Sequence, residues 1–95
     1  MEIRTAECFE RWFGSLVDRT TRARIIFAIE KIKLGNFGNT KHLTEGLFEI
    51  KVNFGPGYRL YYCNQGETII ILLVGGDKSS QRRDIDKALE LMERI

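Results

Sequence analysis

Residues 47–80, LFEIKVNFGPGYRLYYCNQGETIIILLVGGDKSS, decide the fold. Phe48, Ile50, Val52 and Phe54 alternate with Glu49, Lys51 and Asn53, the period-two pattern of a strand with one buried face. Gly55-Pro56-Gly57 reads as a turn, because proline fixes its own φ and a neighbouring glycine tolerates a positive one. With those three residues as the loop, Phe54 pairs with Tyr58, Asn53 with Arg59, Val52 with Leu60 and Lys51 with Tyr61. One face then carries Ile50, Val52, Phe54, Tyr58, Leu60 and Tyr62, and the other Lys51, Asn53, Arg59 and Tyr61. A one-residue slip would bury an unpaired Arg59, which argues for this face assignment. A lysine and an arginine held together on a rigid sheet make an anion site. An Asn64-Gln65-Gly66 turn leads to a third strand, Thr68 to Val74, apolar without a break. Such a strand is covered on both faces, or covered on one and kept for a partner. Ile70 and Leu72 are the outward positions on the second alternative. The strand ends at Gly75-Gly76-Asp77, which places Lys78 just beyond its edge.

On the N-terminal side of this stretch, Glu2-Ile3-Arg4 is a candidate short edge strand. Thr5 is a suitable N-cap for a helix from Ala6 to Leu16, with Phe9, Trp12, Phe13 and Leu16 at helical spacing. Asp18 can cap a second helix running to about Leu34, with Ile25, Ile26, Ile29 and Ile32 on its apolar side and Gly35 stopping it. Its other side, with Arg19, Arg22, Arg24, Lys31 and Lys33 against Glu30, is basic; a solvated surface is the plain alternative to a binding face. Asn36 to Asn39 is a connector, and Lys41 and His42 lead into the sheet. Ser79 or Ser80 can cap a last helix bearing Ile85, Ala88, Leu89, Met92 and Ile95, with Arg82 and Arg83 in its first turn. Cations there oppose the helix dipole, which hints at a reason other than helix stability. The order predicts a two-layer α+β domain. An N-terminal helical hairpin packs on a small antiparallel sheet of three main strands plus the candidate edge strand, followed by a C-terminal helix. The polar sheet face is either open or partly roofed by that helix.

Ninety-five residues make one domain, 1–95, with a modest core. The chain is 43% hydrophobic and 29% charged, ordinary for a soluble globular protein. A net charge of +2 does not by itself call for a nucleic-acid partner. The N-terminus is short and polar, and no apolar run approaches the roughly 18 residues of a membrane span, so a cytoplasmic protein is expected. Cys8 and Cys63 are too few and too far apart for a disulfide framework or a zinc site, and neither a metal nor a cofactor is expected.

Three blocks, Leu34-Gly35-Asn36-Phe37-Gly38, Phe54-Gly55-Pro56-Gly57-Tyr58-Arg59 and Gly75-Gly76-Asp77-Lys78-Ser79, stand in a characteristic order and spacing. In them the sequence resembles the RelE/ParE superfamily of small bacterial toxins, close to its phage-derived, HigB-like branch of addiction-module killer proteins. The likeness covers essentially the whole chain. It implies a RelE-like fold and neutralisation by a cognate antitoxin, expected to be a helix-turn-helix protein. Relatives of the RelE kind enter the ribosome and cut mRNA, while those of the ParE kind poison DNA gyrase; fold does not decide between them. A decayed phage module that only binds its antitoxin is the third reading. Ile70, Leu72 and the C-terminal helix would suit antitoxin docking under all three.

Metal-free RNA cleavage needs a base for the 2′-OH proton, cations for the phosphorane and an acid for the leaving 5′-oxygen. The family pattern carries over to Arg59 and Lys51, and also to Lys78. Arg59 has the planar fork that suits phosphate oxygens; Lys51, with a cationic neighbour and partial burial, is a candidate base; Lys78 is a second cation near the leaving group. The alternative is that Arg59 and Lys51 simply pair with Glu49 and Asp77. Tyr61 is a candidate for stacking on a base or for cross-strand packing. Asn53, Lys41, His42, Arg22, Arg24 and Arg82 complete the candidate RNA- and ribosome-contacting set, with a structural role for His42 as its alternative. Glu49 stands where such toxins often place a lysine, and no tyrosine follows Tyr62.

Overall fold

In the computed structural model, which describes residues 1–95, β1 (Glu2–Thr5) leads into α1 (Glu7–Ser15) and α2 (Arg19–Lys33). β2 (Thr40–Thr44), β3 (Leu47–Val52), β4 (Tyr58–Gln65) and β5 (Ile69–Asp77) follow, and then a 3-10 turn (Lys78–Ser80) and α3 (Gln81–Met92). The strands form one sheet in the order β1-β5-β4-β3-β2. The α+β architecture is as expected from the sequence, with two refinements. β1 runs parallel to β5, so the sheet is mixed. Thr40–Thr44, read above as a lead-in, is a fifth strand on the far edge.

Local chemistry sets the ends of the helices. The Asp18 carboxylate accepts from the Thr21 amide at 2.9 Å and hydroxyl at 2.8 Å, the N-cap expected of it. Thr5 is not a cap: it closes β1, Ala6 takes the cap position, and the Thr5 hydroxyl donates to Glu10 instead. Ser80 precedes α3 without a capping bond, and the capping side chain is that of Asp77, which accepts from Ser79 in the 3-10 turn.

The β3–β4 register differs from the expected one. Val52 pairs with Tyr58, Lys51 with Arg59 and Glu49 with Tyr61, so the loop is Asn53–Gly57, five residues rather than three. Phe54 turns back on Val52 and Gly57 on Phe54 through backbone hydrogen bonds of 2.9 and 3.0 Å. The error amounts to two residues, so every side chain keeps the face assigned to it. Ile50, Val52, Leu60 and Tyr62 face α1 and α2 in one core with Phe9, Ile25, Ala28 and Ile32. Ile26 falls outside that stripe and is half exposed.

β5 shows why a continuous apolar run is needed. Ile70 and Leu72 are buried in the α1–α2 core, 0% and 1% exposed, and are unavailable to any partner. Opposite them Leu73, Val74, Tyr61, Cys63 and Leu47 form a second core under Ala88 of α3, so the sheet is covered on both faces. A bulge between Tyr61 and Tyr62 skips Leu73, pairing Tyr62 with Leu72 and Tyr61 with Val74. The extra residue shifts the alternation by one. Gly75 therefore meets α1 and Gly76 meets α3. A Cβ on Gly75 would lie within 2.2 Å of the Trp12 ring, and one on Gly76 within 1.9 Å of the Asp84 carboxylate. The double glycine is thus where both helices close on one strand.

Candidate functional site

The pairing of β3 with β4 sets Lys51 directly opposite Arg59, and the bulged end of β5 delivers the chain to Lys78 beside them. With Asn53 and the Gly55-Pro56-Gly57 loop these residues line one open cavity of about 350 Å³. No carboxylate lines it. Lys51, expected to be partly buried, is exposed because it stands at the end of β3 beyond the cover of α3; Lys78 is exposed too, and neither makes an ion pair. The Asp77 carboxylate, next to Lys78, is occupied by the Ser79 amide and hydroxyl. Those two bonds hold its pKa below the ordinary carboxyl range, and it makes no ion pair with either lysine.

Arg59 is held differently. It is 9% exposed, and its Nε lies 3.5 Å from the Glu49 carboxylate, itself buried and accepting a 3.1 Å hydrogen bond from Gln81 of α3. Nε and one terminal nitrogen of Arg59 have no hydrogen-bond partner. A guanidinium whose sole counter-charge is misaligned, in the wall of a cationic cavity, suits a bound anion. Glu49 was read from the sequence only as the alternative partner of Arg59, and that pairing is present, whereas Lys51 makes none with Asp77. The alternation of Glu49 with Lys51 put it on the same face, and that was the signal.

The remaining candidates scatter. Tyr61 is fully buried beneath α3, so it stacks on no base. Burial first, then the neighbouring carboxylates of Glu49 and Asp84, pushes its phenol well above the ordinary range. Arg22 is spent on structure: its guanidinium donates to the Phe13 and Leu16 carbonyls at 2.8 and 3.0 Å and lies 4.3 Å from the Phe13 ring centroid. His42, on the edge strand β2, packs its ring against Phe48 with centroids 5.1 Å apart. Lys41 is exposed on the same strand opposite Glu49, and Arg82 is exposed in the first turn of α3; neither lines the cavity. Arg24 lines an adjoining depression, which shares Lys51, Asn53 and Phe54 with the cavity.

The sequence matches the family described as "Phage derived protein Gp49-like" over residues 11–93. It is 38% identical to an uncharacterized protein of Haemophilus influenzae over 95 residues, all of this chain and 96% of that one. Two solved structures share the fold. One is a chain of the intact Escherichia coli RelBE toxin-antitoxin complex, with TM-score 0.66 and 16% identity over 80% of this chain and 94% of that one. The other belongs to the toxin-antitoxin complex RelBE2 of Mycobacterium tuberculosis, with TM-score 0.62 and 23% identity over 81% and 96%. The RelE-like fold expected from the three motif blocks is therefore present.

Proposed function

The chain belongs to the phage-derived Gp49-like family, and from that membership, its fold and its cavity we propose that it is the toxin of a toxin–antitoxin pair that cuts mRNA on the ribosome. The observation that carries the reading is the meeting of Lys51, Arg59 and Lys78 around one cavity without a carboxylate in its wall. A scissile phosphate seated there gains charge-assisted contacts that strengthen as the phosphorane develops its extra negative charge. Arg59, oriented by Glu49, supplies the planar fork. Lys51 takes the 2′-OH proton as that oxygen attacks phosphorus, and Lys78 gives a proton to the 5′-oxygen that leaves. The products are a 2′,3′-cyclic phosphate and a 5′-hydroxyl, and no metal enters the step. The toxin–antitoxin complexes that share the fold support a protein antitoxin as partner.

Mapping transcript 5′ ends after brief induction tests this. New ends inside translated regions are expected with the wild type and not with Lys51→Gln, whose exposed side chain can change without disturbing the core. Arrested growth with no new ends, alongside DNA damage signalling, would move the activity to gyrase. A chain that expresses well and leaves growth untouched would make it an antitoxin-binding module only.

A further inference from the structure

β2 stops opposite Ile50, so the end of β3 has an open edge, tied only by a 3.0 Å bond from the Lys51 amide to the Asn39 carbonyl. Around that edge the cavity continues into a second depression of about 180 Å³, bounded on its far side by Arg24, Phe27, Lys31 and Asn39. Its wall also holds no carboxylate, in a chain with 13 acidic residues, and neither Arg24 nor Lys31 has an ion-pair partner. Phe27 is 62% exposed, off the α2 stripe that faces the sheet, so core packing does not explain it. The Lys31 ammonium lies 5.2 Å from its ring centroid, and the Arg24 guanidinium 4.9 Å from that of Phe54. Phe27 is thus an exposed aromatic face flanked by cations, with an amide beside it, the means by which proteins hold single strands: rings stack bases and cations track the backbone. An acidic protein segment would use the cations but leave the exposed ring without a task.

We propose that this depression is a second RNA subsite, holding a nucleotide that flanks the scissile phosphate. Phe27 stacks on its base, and Arg24 and Lys31 hold the phosphates on either side. The assignment rests on the cavity being where RNA is cut, yet it is read out by binding, so the two fail separately. The test is fluorescence anisotropy of the full chain with a labelled 12-nucleotide 2′-O-methyl RNA, which cannot be cleaved. Phe27→Ala is expected to weaken binding about tenfold, within the range for loss of one stacked base, and Phe27→Trp to restore it. Arg24→Gln with Lys31→Gln is expected to lower the slope of the salt dependence by about 0.7 for each phosphate no longer neutralised. Unchanged affinity in Phe27→Ala, with its thermal unfolding unchanged, overturns the subsite. So does an equal, Phe27-dependent affinity for a 12-residue polyglutamate, which assigns the groove to an acidic protein segment. Phe27-dependent RNA binding by a wild type that produces no transcript ends keeps the subsite and removes the cleavage reading.

Discussion

Replacing Glu49 by glutamine isolates what the buried pair does for the site. The substitution keeps size and the ability to accept from Gln81, and removes only the charge 3.5 Å from Arg59 Nε. At that separation the attraction is about 5 kcal/mol at an effective dielectric of about 20, most of it offset by taking both groups out of water. What the substitution exposes is the unmatched desolvation of Arg59. For a fully buried partner that costs about 3–5 kcal/mol; with an Arg59 side chain still 11% exposed, the lower end, about 3 kcal/mol, is expected. The freed guanidinium should then seek another anion. Inorganic phosphate is expected to bind the variant at least about tenfold more tightly than the wild type, equivalent to about 1.4 kcal/mol. At a hundred times its dissociation constant it should return about 2.7 kcal/mol of stability. Urea unfolding of both proteins, with and without phosphate, measures this. Equal stability of the two chains, or the same phosphate increment in both, would show that Glu49 neither holds nor screens Arg59.

Other expectations follow from the same geometry. The Tyr61 hydroxyl is buried with no hydrogen-bond partner, so Tyr61→Phe should raise stability by about 1 kcal/mol while leaving transcript cleavage intact; a loss of cleavage would return Tyr61 to the site. Gly76→Ala must push Asp84 and Ser80 away, and thermal unfolding should show a loss of about 1–3 kcal/mol, from α3 lifting at its first turn. The Asp18 carboxyl has its pKa held below the usual value, chiefly by the Thr21 hydroxyl and then by the Thr21 amide. Its contribution is therefore present above the unfolded value of 3.8 and lost as pH falls through the lower folded value. Acid titration of Asp18→Asn should show a shallower loss of stability below that pH, and an unchanged acid limb would count against the cap.

The faces of the β3–β4 hairpin were legible because alternation survives a two-residue error in pairing, and so were the Asp18 cap and the meeting of Lys51 with Arg59. Three features were not. Thr40–Thr44 is short and mostly polar, with Leu43 its only large aliphatic side chain, and such a strand announces itself only through the neighbour it pairs with. The burial of Tyr61 depends on where α3 lands, which alternation within β4 cannot report. The bulge at Leu73 has no local signature in an unbroken apolar run; in hindsight, two adjacent glycines after it imply close approaches on opposite faces. The groove residues Phe27 and Lys31 were present in the sequence as an aromatic off the apolar stripe with a lysine one turn later, a pair that helical spacing alone could have singled out.

The sheet order has a consequence for the order of synthesis. β1 is made before the other strands of the sheet, but its hydrogen-bonding neighbour is β5, with Glu2 beside Ile69 and Thr5 beside Leu72. The strand that completes the sheet, and the helix that covers Tyr61, leave the ribosome after the strands that carry Lys51 and Arg59. Pairings so distant in sequence form late and slowly. A nascent chain holding Lys51 and Arg59 but lacking Lys78 and α3 has neither the assembled cavity nor the cover of the second core. On the proposed activity, the protein stays harmless to the ribosome that makes it until β5, Lys78 and α3 have emerged.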